Sequence, residues 1–313
     1  MTRRAGLDAQ HPGLPAGARS RYRRDLARRG RNGMDKTAGT PSTSARAEGA
    51  TTARLDAAIV RLPDAALVHG LRRDDRGWPS PALALEQHAR YREALASCGL
   101  AVTVLPADPA HPDATFVEDT AVIVGGEVLI TRPGAPSRRG EVDAVESALR
   151  AAGFETSAIE APATLDGGDV CEADGRFFVG ISARTNEAGA NQLASWLARR
   201  GIGCTAIDIR ARTDILHLKS GLAWLGGRDL LAIDGFPMAD FAGYSIVPVD
   251  ADEAYAANAV CVNDAVLVAS GHPRLQARLE GRGYRTLALD MSEFARVDGG
   301  LSCLSLRFRR PPC

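Results

Sequence analysis

Cys303 ends the stretch DGGLSC (298–303), and an alternating segment, LSLRF, follows it. Two glycines leading into a thiol are more than a buried structural cysteine needs. They suit a nucleophile that something must approach. The groups that would complete a site stand far away in sequence. Glu118 and Asp119 open EDTAVIVGGEVLI, Asp166 and Asp169 flank the Gly-Gly of LDGGDV, and His217 precedes SGLAWLGG by three residues. Singly, each has an ordinary explanation: a strand-leading acid, a turn-forming aspartate, a histidine satisfied inside an apolar strand (DILHLKS), a buried small thiol. Together they make a thiol, an imidazole and several carboxylates. A thiolate attacks an electrophilic carbon while the imidazole moves the proton. Carboxylates around that carbon call for a cationic substrate, because unpaired buried acids are costly. They are the wrong groups for an acyl oxyanion, which needs donors. A planar cation with an attackable central carbon is a guanidinium, whose N–H groups match carboxylates in pairs. Arg138, in SRRGE, and Arg184, in SARTNE, would clamp a carboxylate at the far end of the substrate. The expected ligand is an amino acid with a guanidinium tail.

Such distant residues converge only if the fold repeats, and the chain does repeat. Four hairpins are predicted at 118–130, 167–181, 220–233 and 258–270, the third turning on Gly226-Gly227 and the fourth on Asn263-Asp264. Each leads through a connection to an extended segment. Helices are expected around 141–152, 188–200 and 273–282, and the third unit has a shortened connection. A fifth unit is split: CLSLRF at the C-terminus pairs with AAIVRLP (57–63), and the helix ALALEQHARYREAL and AVTVLP complete it. Ala84, His88, Tyr91 and Leu95 give that helix its buried stripe. Asp119 and Asp169 are 50 residues apart, and Ser220 follows after 51. The fold predicted is a five-bladed, pseudo-symmetric α/β propeller of ββαβ units, whose closure through its two ends removes exposed sheet edges. Equivalent positions then meet on one face around the axis. An ordinary doubly wound sheet is the alternative, and the tight turns between paired short strands argue against it.

Bulk properties set the bounds. The 313 residues are 45% hydrophobic and 24% charged, with zero formal net charge, which gives no reason to expect nucleic acid or membrane as partner. Residues 1–50 hold eleven basic residues against four acids, so the remainder is net acidic, which suits a cationic ligand. Residues 1–55 read as a disordered basic extension, or less readily as an organellar targeting segment, with Met34 a plausible alternative initiator. Residues 56–313 read as one catalytic domain. There is no apolar run of membrane-spanning length and no secretory signal. The six cysteines are irregularly spaced with no C-x-x-C, so they read as free thiols of a cytoplasmic protein, without a metal site. Lys219 is one of only two lysines. Two residues after His217 on a strand, it would share that side. Either it matters near the site or, as preferred, it is a solvated side chain.

The motifs FVEDTAVI, ITRPGAPSRRGE, LDGGDV, FFVGISARTN, LHLKSGLAWL, AANAVCVN and VDGGLSCLSLRF, in this order across about 57–308, resemble the dimethylarginine dimethylaminohydrolases of the guanidino-group-modifying superfamily. The resemblance implies hydrolysis of Nω-methylated arginine to citrulline and a methylamine, without cofactor, by a monomer or homodimer. It implies Cys303 as nucleophile, His217 as proton donor and later activator of water, and Asp166 as the acid that orients His217 or the guanidinium. Glu118 and Asp119 resemble the guanidinium-binding acids, Asp113 a further substrate contact, and Arg138 and Arg184 the carboxylate clamp. Leu71 and Val297 resemble backbone contacts to the α-amino group, and 70–80 a lid moving on Gly70 and Gly77. Ser302 either bonds substrate or is a small spacer. Arginine deiminase, with the same groups acting on unmethylated arginine, is the alternative. The chain lacks the large insertion those enzymes carry. Amidinotransferases would pass the amidino group to an amine, and a non-catalytic arginine-binding relative would need no thiol.

Overall fold

The turns that join strands in this chain need residues that tolerate left-handed backbone, and the sequence supplies them. Gly125 has φ +59°, Asp174 and Gly175 +49° and +74°, Gly226 and Gly227 +97° and +54°, and Asn263 +52°. Each ties two short antiparallel strands: β3 (Ala121–Val124) to β4 (Glu127–Ile130), β6 (Val170–Ala173) to β7 (Arg176–Ile181), β9 (Leu222–Trp224) to β10 (Asp229–Ala232), and β12 (Val260–Val262) to β13 (Ala265–Ala269). Primed-type turns of this kind match the strand twist. A third strand then pairs in parallel with the second of each hairpin: β5 (Glu155–Ala158), β8 (Cys204–Asp208), β11 (Ser245–Pro248) and β14 (Arg285–Leu289). Parallel pairing requires a crossover. Helices α2 (Val142–Ala151), α3 (Glu187–Ala198) and α4 (Pro273–Glu280) provide three of them, and the shortened one holds only a short turn at Met238–Phe241.

The fifth unit is assembled from both ends, as the sequence predicts. β15 (Leu306–Phe308) pairs antiparallel with β1 (Ala57–Arg61), Ala57 opposite Phe308 and Ile59 opposite Leu306, and β2 (Ala101–Leu105) adds in parallel after α1 (Pro81–Ser97). Ala84, His88, Tyr91 and Leu95 are all buried on α1. The result is five three-stranded sheets, a five-bladed pseudo-symmetric α/β propeller. The structure, a computed structural model, describes residues 54–312. The described residues belong to one compact unit. The expected extension lies outside the described residues through residue 53. No helix among the described residues is long and apolar enough to cross a membrane.

One expectation needs correcting. Closure through the termini does not remove sheet edges, because each blade is its own sheet and β2, β5, β8, β11 and β14 each keep an outer edge. The edges are short, and exposed residues dominate β2 and β5. The middle strands β1 and β13 are buried throughout. The core therefore lies inward of the outer strands.

Side chains at the inner end of each blade reach the next. Asp119 accepts the Gly168 N–H at 2.8 Å, and Asp169 accepts the Leu218 N–H at 2.9 Å, each 49 residues on. Asn258 accepts the Ser302 N–H at 2.8 Å, and Ser302 Oγ donates to Glu118 at 2.5 Å, which closes the ring. Phe308 packs edge-on against Phe154 of the adjoining blade, centroids 5.1 Å apart. Phe308→Ala is expected to cost about 3 kcal/mol in urea unfolding. A loss near zero would mean that the terminal strand does not hold the ring shut.

Candidate active site

Glycines let the inner loops approach closely. A Cβ on Gly168 would stand 2.7 Å from Asp119 Oδ1 and 2.8 Å from His217 Nδ1, and one on Gly299 would strike the Phe116 ring. So the Gly-Gly of LDGGD makes room for the histidine, and the Gly-Gly before Cys303 makes room for an aromatic wall. Around that space the structure gathers Cys303, His217 and Asp119. Asp113, Arg138, Arg184, Leu71 and Val297 line the same cavity, joined by Phe116, Leu216, Asp298 and Gly299, which the sequence reading did not single out. Asp166, Glu118 and Ser302 are buried behind the wall.

His217 does not lie in a strand. It sits in a bend before the short turn Leu218–Ser220. The apolar run ILHL imitates a strand, but Asp169 draws the Leu218 N–H inward and Ser220 Oγ accepts the His217 N–H at 3.2 Å. His217 Nε2 is 3.0 Å from Asp166 Oδ2, and Asp166 Oδ1 accepts the Gly134 N–H at 2.8 Å. A carboxylate oxygen of Asp119, one of Asp166 and a ring nitrogen of His217 lie within 4.8 Å of one another. Burial works against the charged ring, yet Asp119, Asp169 and Asp166 outweigh it and raise the His217 pKa from 6.5 to about 9. Asp119 shows the reciprocal effect: burial disfavours its charge, but His217, Arg138 and the Gly168 N–H hold it well below the usual carboxylate range.

Cys303 is the central residue of a short 3₁₀ turn, Ser302–Leu304, whose first N–H groups are fixed by Asn258 and Gly300. Burial, reinforced by the anions of Glu118 and Asp119, pushes its thiol up to about 12, against the Gly300 backbone and Lys219. The resting site therefore holds a thiol and an imidazolium on one cavity.

The arginines differ. Arg138 is spent on protein: its guanidinium meets Asp119 at 2.5 Å and Glu141 at 2.7 Å, and it donates to the Phe116 carbonyl at 3.1 Å. Arg184 keeps a buried Nη1 without a partner. Asp113 accepts the Leu71 N–H at 3.0 Å, and burial raises its pKa despite Arg138 and that bond. Glu118 is surrounded by Ser302 Oγ, Lys219 Nζ at 2.7 Å and Arg307 Nη2 at 3.2 Å. Lys219 is thus neither on a strand nor solvated, contrary to the preferred reading. Its scarcity among so many arginines was the one sequence signal. The 70–80 segment is pinned over the cavity loop: Arg73 N–H donates to Asp298 at 2.6 Å, and Arg296 donates to the Arg76 carbonyl at 2.7 Å. Gly77 has φ +80°, but Gly70 has φ −56°, and its missing side chain leaves room for Asp113 instead.

Comparison with known proteins comes to the same place. The sequence model of a family described as "N,N dimethylarginine dimethylhydrolase, eukaryotic" matches residues 79–232. The chain is 40% identical over 252 residues to the N(G),N(G)-dimethylarginine dimethylaminohydrolase of Pseudomonas aeruginosa, covering 80% of this chain and 98% of that protein. A cysteine-to-serine mutant of the Pseudomonas aeruginosa enzyme complexed with citrulline superposes with a TM-score of 0.79 at 38% identity, covering 82% of this chain and all of that one. An adduct of a dimethylarginine dimethylaminohydrolase with S-methyl-L-thiocitrulline gives 0.78 at 39% identity, covering 81% and 100%.

Because the folded-state pKa of His217 is raised, its contribution to stability is fully present below about 6.5 and is lost as pH rises through about 9. The difference in urea stability between wild type and His217→Gln should shrink across that window. A difference that stays flat from pH 6 to 10 would mean the ring is not held charged.

Proposed function

This chain belongs to the dimethylarginine dimethylaminohydrolase family, and from that premise we propose how its own residues carry the reaction. The enzyme hydrolyses Nω-methylated arginine to citrulline and dimethylamine through a covalent cysteine thiouronium intermediate. It is a hydrolase of C–N bonds in linear amidines, and its partner is a small-molecule substrate. The observation that carries the residue assignment is the pairing of the Cys303 thiol and the His217 imidazolium on one cavity with the Asp119 carboxylate.

Asp119 takes the N–H edge of the guanidinium and fixes its plane. Arg138 holds Asp119 in place, so the substrate carboxylate falls to Arg184, whose buried Nη1 awaits an acceptor. The Leu71 and Val297 carbonyls and Asp113 receive the α-ammonium. The 70–80 segment closes over them through Asp298 and Arg296. Arrival of the cation lowers the thiol pKa by charge pairing, and the thiol proton leaves to solvent. The thiolate sulfur then bonds to the guanidinium carbon. His217, oriented by Asp166, gives its proton to the dimethylamino nitrogen as that C–N bond breaks. The neutral imidazole next takes a proton from water, the oxygen adds to the carbon, and the C–S bond breaks to return the thiolate. A second proton passes to solvent as citrulline forms.

Acid-quenched turnover of Nω,Nω-dimethylarginine should show a mass adduct on the peptide that carries Cys303. Cys303→Ser should lose the adduct and at least about a thousandfold in kcat. An adduct on another cysteine, or citrulline formed with no adduct at any time, would contradict the assignment.

A further inference from the structure

Behind the cavity wall, Glu118 gathers two cations and a hydroxyl. Its Oε1 lies 2.7 Å from Lys219 Nζ and 3.2 Å from Arg307 Nη2, and its Oε2 accepts Ser302 Oγ–H at 2.5 Å. The glutamate side chain is 4% exposed, and those of Lys219 and Arg307 are 18% and 16% exposed. Arg307 has other duties, donating to the carbonyls of Ser302 and Ser305 and so bracketing the cysteine turn. Lys219 comes from the other side, two residues after His217. Its carbonyl accepts the Asn258 Nδ2–H at 2.9 Å. The same amide donates to Ser302 Oγ at 3.0 Å and accepts the Ser302 N–H at 2.8 Å. Lys219 is thus tied to the neighbour of the nucleophile twice, by its ammonium through Glu118 and by its carbonyl through Asn258.

We propose that Lys219 is a positioning residue of the reaction. Its ammonium locks the His217 loop to the Cys303 turn through Glu118 and offsets that buried anion, so that a thiolate can form in front of it. This rests on the reading of Cys303 as nucleophile. Removing one member of a buried ion pair costs the other its compensation, and a Glu118 left with Arg307 as its one cation would oppose a second negative charge on the adjacent sulfur more strongly. The charged and titratable groups around the thiol are Glu118 and Asp119 from one blade, Lys219 and His217 from the loop opposite, and the Tyr255 hydroxyl. Of these, Lys219 is the cation placed directly on Glu118. A compact ammonium also fits a site whose other cation is already a guanidinium. This is consistent with a lysine at 219 in a chain that otherwise uses arginine almost throughout.

The test is iodoacetamide alkylation of the purified full chain across pH, with the Cys303 peptide followed by mass spectrometry. Lys219→Met keeps the stem and removes the charge. It should slow alkylation of Cys303 about tenfold at a given pH, moving the profile to higher pH and lowering kcat more than it changes KM. Lys219→Arg should restore the profile. A Lys219→Met protein that alkylates with the wild-type profile would overturn the proposal, whatever its activity. If that variant does not fold, Glu118→Gln with Lys219→Met removes both charges and should alkylate at or below the wild-type pH. A profile displaced upward in the double variant would equally overturn it. Alkylation needs no turnover. A failure of the proposed reaction would therefore appear separately, as absent citrulline with the Lys219 effect intact.

Discussion

Carboxylates buried around the propeller axis are the constraint on which the rest of the structure depends. A buried acid must find donors or cations, and here part of that demand is met across blade boundaries. Asp119 and Asp169 accept backbone N–H groups of the following blade, so the bonds that satisfy them also hold the blades together. The remaining negative charge draws in Arg138, Lys219 and Arg307, and keeps a proton on His217. The cavity at the centre then favours a cation, and a guanidinium is the cation whose N–H groups fit. Stability and substrate choice are two uses of one set of charges.

The same field explains why the nucleophile rests as a thiol. Burial beside Glu118 and Asp119 keeps the proton on Cys303 until a positive charge arrives. A protonated sulfur is also the less oxidisable form. Activation by the substrate itself therefore keeps the reactive form brief. The imidazolium is the complementary half: a ring held charged by Asp119, Asp169 and Asp166 has a proton ready for a leaving amine that could not depart as an anion.

Much of the fold was legible because its signals are local. Gly125, Gly175, Gly226 and Asn263 mark four turns by their backbone tolerance, and the 50-residue spacing of Asp119 and Asp169 gives the repeat. What escaped was decided by contacts that no local pattern announces. The loop around His217 reads as a strand from its apolar residues, and an aspartate about fifty residues earlier, with Ser220 just after it, bends it otherwise. Glu118 and Asp119 are adjacent acids in a 3₁₀ turn, where successive side chains diverge by about 120°. One faces the cavity and the other the cysteine turn, and no pattern in FVEDTAVI distinguishes them. Nothing in SRRGE announces that Glu141, three residues on, will bond the Arg138 guanidinium. Lys219 looked solvated because its partner lies about a hundred residues away.

The central claim is that one cavity, acidic at its centre and closed by Cys303, acts on a methylated guanidinium in preference to the bare one. Measuring kcat/KM for citrulline release from Nω,Nω-dimethylarginine and from arginine side by side tests it most directly. The account predicts turnover of the methylated substrate with little or none of arginine. Arginine consumed as well or better would contradict it and make this site a deiminase built from the same groups.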